Sequence, residues 1–204
     1  MRHATAVVLT SVIFSICGCA GFGVVSTSDP RAKLSDARHL FNNQGRPLIA
    51  ERLIQEAIEI FQQKGDDVGL GEAYFDYAYF FLSPSIDKWE KVYREQGFRD
   101  QTATFDNRFS KADEYFAKSA ASFEKARQTL ADQTRFDTLA NADRLRGFAY
   151  QRLKNSAKAC AAFDDSLASY RKYMSSADKP QLNLPSGFAT YEDFVASLKQ
   201  KAGC

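Results

Sequence analysis

Histidine, tryptophan and strand-like alternation are what this chain has least of. It holds 2 histidines and 1 tryptophan in 204 residues, and His3 stands within the first few residues. His39 alone cannot build a multi-histidine metal site, and neither Cys-x-x-Cys nor His-Glu-x-x-His spacing occurs. Gly69-Leu70-Gly71 follows two acids without the lysine of a phosphate-binding loop, so it reads as a turn. Asp164 and Asp165 fall where carboxylates solvate a helix face, and nothing selects a catalytic pair. An enzyme is not expected, nor is any metal or cofactor. The formal net charge of +2 offers no basic stripe to displace counterions, so nucleic acid is not an expected partner. Glycine and proline are sparse inside the periodic stretches and period-two alternation is hard to find, which predicts an all-α chain.

The most continuous apolar run comes first. Met1, Arg2 and His3 precede Ala4 to Ile16, whose only polar interruptions are Thr and Ser. That run is short for a bilayer span and suits a signal peptide. It ends in Ile16-Cys17-Gly18-Cys19, which resembles the lipobox of bacterial lipoproteins. The resemblance implies that residues 1–18 are removed and that Cys19 becomes the first residue, carrying acyl chains such as palmitate. Ala20 rather than Asp follows it, which in that family implies the outer membrane, facing the periplasm. An ordinary secretory leader cut after Ala20, giving a soluble periplasmic or secreted protein, is the alternative. Residues 19–32, with their Gly and Ser, read as a tether.

Residues 33–174 carry a recurring ladder of small and aromatic positions at helical spacing. It appears as Ala50, Ile54, Ala57, Phe61, as Ala112, Phe116, Ser119, Phe123, and as Ala159, Phe163, Ser166, Tyr170. Small residues let helices approach and the aromatics fill the space beside them. Repeated helical hairpins follow. The first has helices over Leu34 to Asn43 and Leu48 to Gln63, joined through Gly45 and Pro47. The second starts with the aromatic stretch Gly71 to Leu82 and resumes at Phe109 to Leu130, leaving an insertion near 83–108. Ser83-Pro84 opens that insertion as a helix start, Ile86, Trp89, Val92 and Tyr93 continue it, and Gly97 breaks it. The third spans Phe136 to Leu153 and Ala157 to Tyr173. Within 175–204, a linker with Pro180 and Pro185 leads to Thr190 and an apolar face of Tyr191, Phe194, Val195 and Leu198. This helix is expected to cap the array.

Gly147, Tyr150, Ala159 and Phe163, with Phe41, Gly45, Ala50, Ile54 and Ala57 earlier, resemble the tetratricopeptide repeat signature. Arg38 and Asp76 stand where the first helix of that repeat usually has glycine. The resemblance implies a helical-hairpin solenoid with a concave groove lined by the first helix of each hairpin. Its groove positions are His39, Asn42 and Asn43, then Tyr77, Phe80 and Phe81, then Arg144, Phe148 and Gln151. Ala73 and Tyr77 occupy the places of the family's carboxylate clamp, so recognition of a chain-terminal carboxylate is not implied. Phe75 and Tyr79 are expected in the core.

Trp89 reads either as a partner anchor or as a pin holding the insertion to the array. Cys160 and Cys204 remain once Cys19 is lipidated. An even pair in an oxidising compartment invites a disulfide, with a buried thiol and a free terminal thiol as the alternative. The function expected is a lipid-anchored periplasmic adaptor, a scaffold that binds an envelope protein or peptide for assembly or secretion. The alternative is an accessory lipoprotein that delivers a small apolar solute to a transporter.

Overall fold

The computed structural model describes residues 27–175, 184 and 186–204. The signal peptide, Cys19 with its lipobox, most of the tether and most of the 175–186 linker lie outside the described residues. Helix α1 (Pro30–His39) starts where Asp29 accepts the Arg31 N–H at 3.0 Å, and Pro30 sits at a position with no hydrogen bond to lose. It runs into a π-helical turn (Leu40–Gln44) that closes on Gly45 at φ 61°, and α2 (Pro47–Lys64) returns antiparallel. Then come α3 (Asp67–Phe81), two short helices α4 (Pro84–Asp87) and α5 (Glu90–Gln96), and α6 (Arg108–Asp132). Helices α7 (Phe136–Arg152), α8 (Ser156–Met174) and α9 (Tyr191–Ala202) complete the described chain.

The pairs α1/α2, α3/α6 and α7/α8 are helical hairpins, and α2 against α3 and α6 against α7 join them in series. Helix α3 also touches α1 on one side and α7 on the other, so the first helices of the hairpins share one layer. The fold is an all-α array of helical hairpins. The ladder residues form its interior: Ala50, Ile54, Ala57, Phe61, Ala112, Phe116, Phe123, Ala159 and Phe163 are all buried. The two ladder serines bond across their hairpins. Ser119 donates to the Gly71 carbonyl at 2.8 Å, and Ser166 to the Ala140 carbonyl at 2.7 Å.

Gly69-Leu70-Gly71 is not a turn but part of α3. The helix starts earlier, where Asp66 accepts the Gly69 N–H at 2.9 Å. A Cβ on Gly69 would stand 2.1 Å from the Phe61 ring, and one on Gly71 2.6 Å from the Phe123 ring. These glycines admit neighbouring rings, and the spacing of two close approaches imitates a turn signal.

The insertion forms two short helices rather than one. Ser83 caps the first by accepting the Ser85 N–H, and the break falls at Trp89, whose indole N–H donates to the Gly45 carbonyl at 3.1 Å. At the other end α9 lays Tyr191, Phe194, Val195 and Leu198 against Ala159 and Phe163 of α8, as a cap must. Thr190 accepts the Asp193 N–H at 3.0 Å to start it. Lys199 pairs with Asp164 at 2.6 Å, and a Cys160–Cys204 disulfide ties its end to α8. No described helix is long and apolar enough to cross a membrane.

Candidate functional site

The shared layer of α1, α3 and α7 encloses a cleft of about 520 Å³. Leu34 and Phe41 come from the first hairpin, Phe75 and Tyr79 from the second, and Asn141, Arg144 and Leu145 from the third. Phe75 and Tyr79 sit on one face of α3 with ring centroids 4.9 Å apart, and both are half-buried. Asn42 adds an exposed amide at the α1 end. A second, more polar cleft of about 740 Å³ shares Arg31, Glu72 and Asn141 with the first.

Charge inside the first cleft is largely paired. Arg38 donates to both carboxylate oxygens of Asp76, at 2.9 and 3.1 Å, and Asp76 is 4% exposed. Burial pushes Asp76 up to about 7, with Arg38 opposing. Arg31 donates to Glu72 at 3.0 Å and to Asp66 at 3.2 Å, and burial raises Glu72 against the pull of Arg31. Arg38 and Asp76 are therefore partners of each other across adjacent hairpins.

Arg144 and Asn42 line this cleft as expected. His39 and Asn43 are exposed but stand outside its wall, and Gln151 is half-buried beyond it. Asn43 borders a smaller nook with Gly45, Ser83 and Lys88 instead. Phe148 turns to the cap, its ring 5.7 Å from Phe163 within the cluster formed by α8 and α9.

The largest correction concerns Tyr77, Phe80 and Phe81. They are fully buried and line no groove, while Phe75 and Tyr79, expected in the core, border the cleft. The insertion is the physical reason. Tyr93 stacks on Phe98 at 4.2 Å, and Phe98 meets the Phe81 ring at 5.1 Å and the Phe80 ring at 6.4 Å. Tyr77 packs on Tyr115 and Phe81, each at 4.6 Å. This side of α3 is the seat of the inserted segment, so its rings are taken.

A polar clasp completes that seat. Glu51, 2% exposed, accepts the Tyr77 hydroxyl at 2.8 Å and the Arg99 N–H at 2.7 Å. Burial pushes Glu51 up to about 7, the two hydrogen bonds opposing. Tyr115 donates to Asp100 at 3.0 Å, and Lys111 lies 3.6 Å from the same carboxylate. Trp89 belongs to this set of attachments through its bond to Gly45.

Reading the sequence for the site missed Arg38, Glu72, Asp76, Phe75, Tyr79 and Asn141. One signal was present: Arg38 and Asp76 put opposite charges at matching positions of consecutive hairpins. Among the described residues no group of three or more His, Cys, Asp or Glu could hold a metal ion. No protein-family model matches the chain, and neither a curated protein nor a solved structure matches it.

Proposed function

We propose that the protein is a lipid-anchored periplasmic adaptor of the tetratricopeptide kind, holding an envelope protein or peptide in the cleft between α1, α3 and α7. The observation that carries this reading is the half-buried pair Phe75 and Tyr79, set in a cleft built from three hairpins. Such a surface offers apolar anchorage flanked by the Asn42 and Asn141 amides, the pattern that suits an extended or helical segment. In this reading Cys19 carries the acyl chains and the stretch between it and α1 forms the tether to the outer membrane. Each buried CH₂ adds roughly 0.8 kcal/mol, so several chains make the anchor firm.

Delivery of a small apolar solute has less support. Such delivery would need a pore or groove lined by aromatic residues such as Tyr77, Phe80 and Phe148, but Tyr77 and Phe80 are packed ring against ring with Phe81.

Two measurements test the proposal. Palmitate should label the protein and not its Cys19→Ser variant; equal labelling of both rejects the anchor. In crosslinked envelopes, Tyr79→Ala combined with Asn42→Arg should remove partners that the unaltered protein retains. An unchanged set of partners rejects the cleft.

A further inference from the structure

Among the arginines that line the cleft, two are neutralised from within. Arg31 pairs with Asp66 and Glu72, and Arg38 with Asp76. Arg144 differs. Among the described residues no carboxylate lies within ion-pair distance of it, and its hydrogen bond goes to the amide oxygen of Asn141. The guanidinium is half-buried, with the Phe148 ring at 5.7 Å and the Phe194 ring at 6.0 Å. Burial holds its pKa below the usual arginine value, Tyr191 opposing.

A cation withdrawn from water without a counter-ion is costly, and the two ring faces compensate only in part. The neighbouring side chains also hold it in one place, on a helix rather than on a loop. Further along α7, Arg152 also has no carboxylate within ion-pair distance among the described residues; its guanidinium donates to the Tyr79 hydroxyl at 3.3 Å. Of the α7 residues that line the cleft, Asn141, Arg144 and Leu145, Arg144 is the charged one, and Phe75 and Tyr79 give it an apolar surface to face. Glu72 and Asp76 border the same cleft, so a singly charged anion fits better than a phosphate. The planar guanidinium fork matches a carboxylate in shape.

We infer that the cleft takes an acidic peptide segment, in which one Asp or Glu side chain of the partner pairs with Arg144 and an adjacent apolar side chain lies on Phe75 and Tyr79. This rests on the reading of the cleft as the partner groove. It adds what that reading lacks, the chemistry of the partner.

The test is a random peptide library fused to a coat protein through the peptides' C-termini, so that no terminal carboxylate takes part. It is panned on the full-length protein in detergent micelles, and binders that depend on Tyr79 are kept by counter-selection against Tyr79→Ala. Asp and Glu should be enriched in these over the input library. Their affinity should fall about thirtyfold or more with Arg144→Gln, and less with Arg144→Lys, as for removal of one partner of a buried charge pair. Exchanging Glu for Gln, or Asp for Asn, in the peptide should give the same loss on the unaltered protein, whatever Arg144→Gln does to folding. Tyr79-dependent peptides without acidic enrichment, or binding indifferent to the Glu→Gln exchange, overturn the assignment of Arg144 while leaving the groove. Failure to obtain any Tyr79-dependent peptide overturns the groove itself, and the assignment with it.

Discussion

The Ser166 hydroxyl on α8 donates to the Ala140 carbonyl on α7 at 2.7 Å and meets the Tyr191 hydroxyl of α9 at the same distance. One buried serine thus joins a hairpin to its cap. Ser119 makes only the hairpin bond, to Gly71, and the first ladder has Ala57 in the corresponding place. Ser166→Ala leaves the Tyr191 hydroxyl short of a partner in a buried site and should cost about 2 kcal/mol, against about 1 kcal/mol for Ser119→Ala. Urea unfolding of both variants checks the order. A Ser119→Ala cost equal to or above that of Ser166→Ala rejects the bridging role.

Gly147 is set by the same packing. A Cβ there would lie 2.4 Å from the Phe163 ring, which is fully buried and has nowhere to go. Alanine gains about 1 kcal/mol of helix propensity over glycine, yet overpacking a filled core costs about 1–3 kcal/mol. Gly147→Ala is expected to be destabilising by about 1 kcal/mol, and the companion change Phe163→Leu should recover part of the loss. Thermal melts of the single and double variants decide it, since independent sites would simply add.

The helices were legible because their ends carry chemistry. Ser83 and Thr190 accept backbone N–H groups at helix starts, and Gly45 takes the left-handed conformation at a helix end. The first start lies earlier than expected: α1 begins at Pro30, capped by Asp29, inside the stretch 19–32 expected as tether and ahead of the expected start at Leu34. The facing of α3 was not legible. From Tyr74 to Phe81 aromatic residues occur around its whole circumference, so no apolar stripe contrasts with a polar one. What chooses the buried side is the inserted segment with Tyr93 and Phe98, which follows α3 in the chain and folds back on it in a way no local pattern announces. The Arg38–Asp76 pair shows the converse, since its members mean little apart and their meaning lies in the contact between hairpins.

Stability should fall as pH rises from 5 to 8. Burial pushes Glu51 and Asp76 up to about 7 and Asp143 up to about 6. Hydrogen bonds from Tyr77 and the Arg99 N–H oppose it at Glu51, Arg38 at Asp76, and Arg146 with Arg127 at Asp143. The folded chain therefore holds protons that the unfolded chain has released. Their contribution is complete below the ordinary carboxylate range and is lost as pH passes these raised values. Asp100 is shifted down, so its contribution is lost only in stronger acid, outside this window. The Glu51 displacement alone corresponds to about 3 kcal/mol as an upper bound. Melting midpoints at pH 5, 6, 7 and 8 should decline, and Glu51→Gln should flatten the decline; a rising profile contradicts the burial of these acids.

The Cys160–Cys204 bond closes a loop of sequence separation 44 and joins the end of α9 to the start of α8. Restricting the unfolded chain over such a loop is worth about 2–4 kcal/mol. Protein unfolded without reductant should present no free thiol from this pair. The Cys160→Ser, Cys204→Ser double variant should lose stability while keeping its helix content, because Tyr191, Val195 and Leu198 still cover α8. Two titratable thiols in the oxidised, unfolded protein would show that the bond does not form.

Trp89 supplies the most local of the expectations. Its indole N–H reaches the Gly45 carbonyl at 3.1 Å, so the break between α4 and α5 is fastened to the turn of the first hairpin. Trp89→Phe keeps most of the ring contact and removes the donor, at a cost of about 1 kcal/mol. The consequence should stay in the insertion. Glu51, Tyr77 and Tyr115 hold its far end through Arg99 and Asp100, and none of these bonds involves α7 or α8. Hydrogen exchange should therefore quicken across 84–96 and remain unchanged in α7 and α8. Faster exchange throughout the array would mean that the insertion is a structural member of the repeat, rather than a segment seated on its aromatic face.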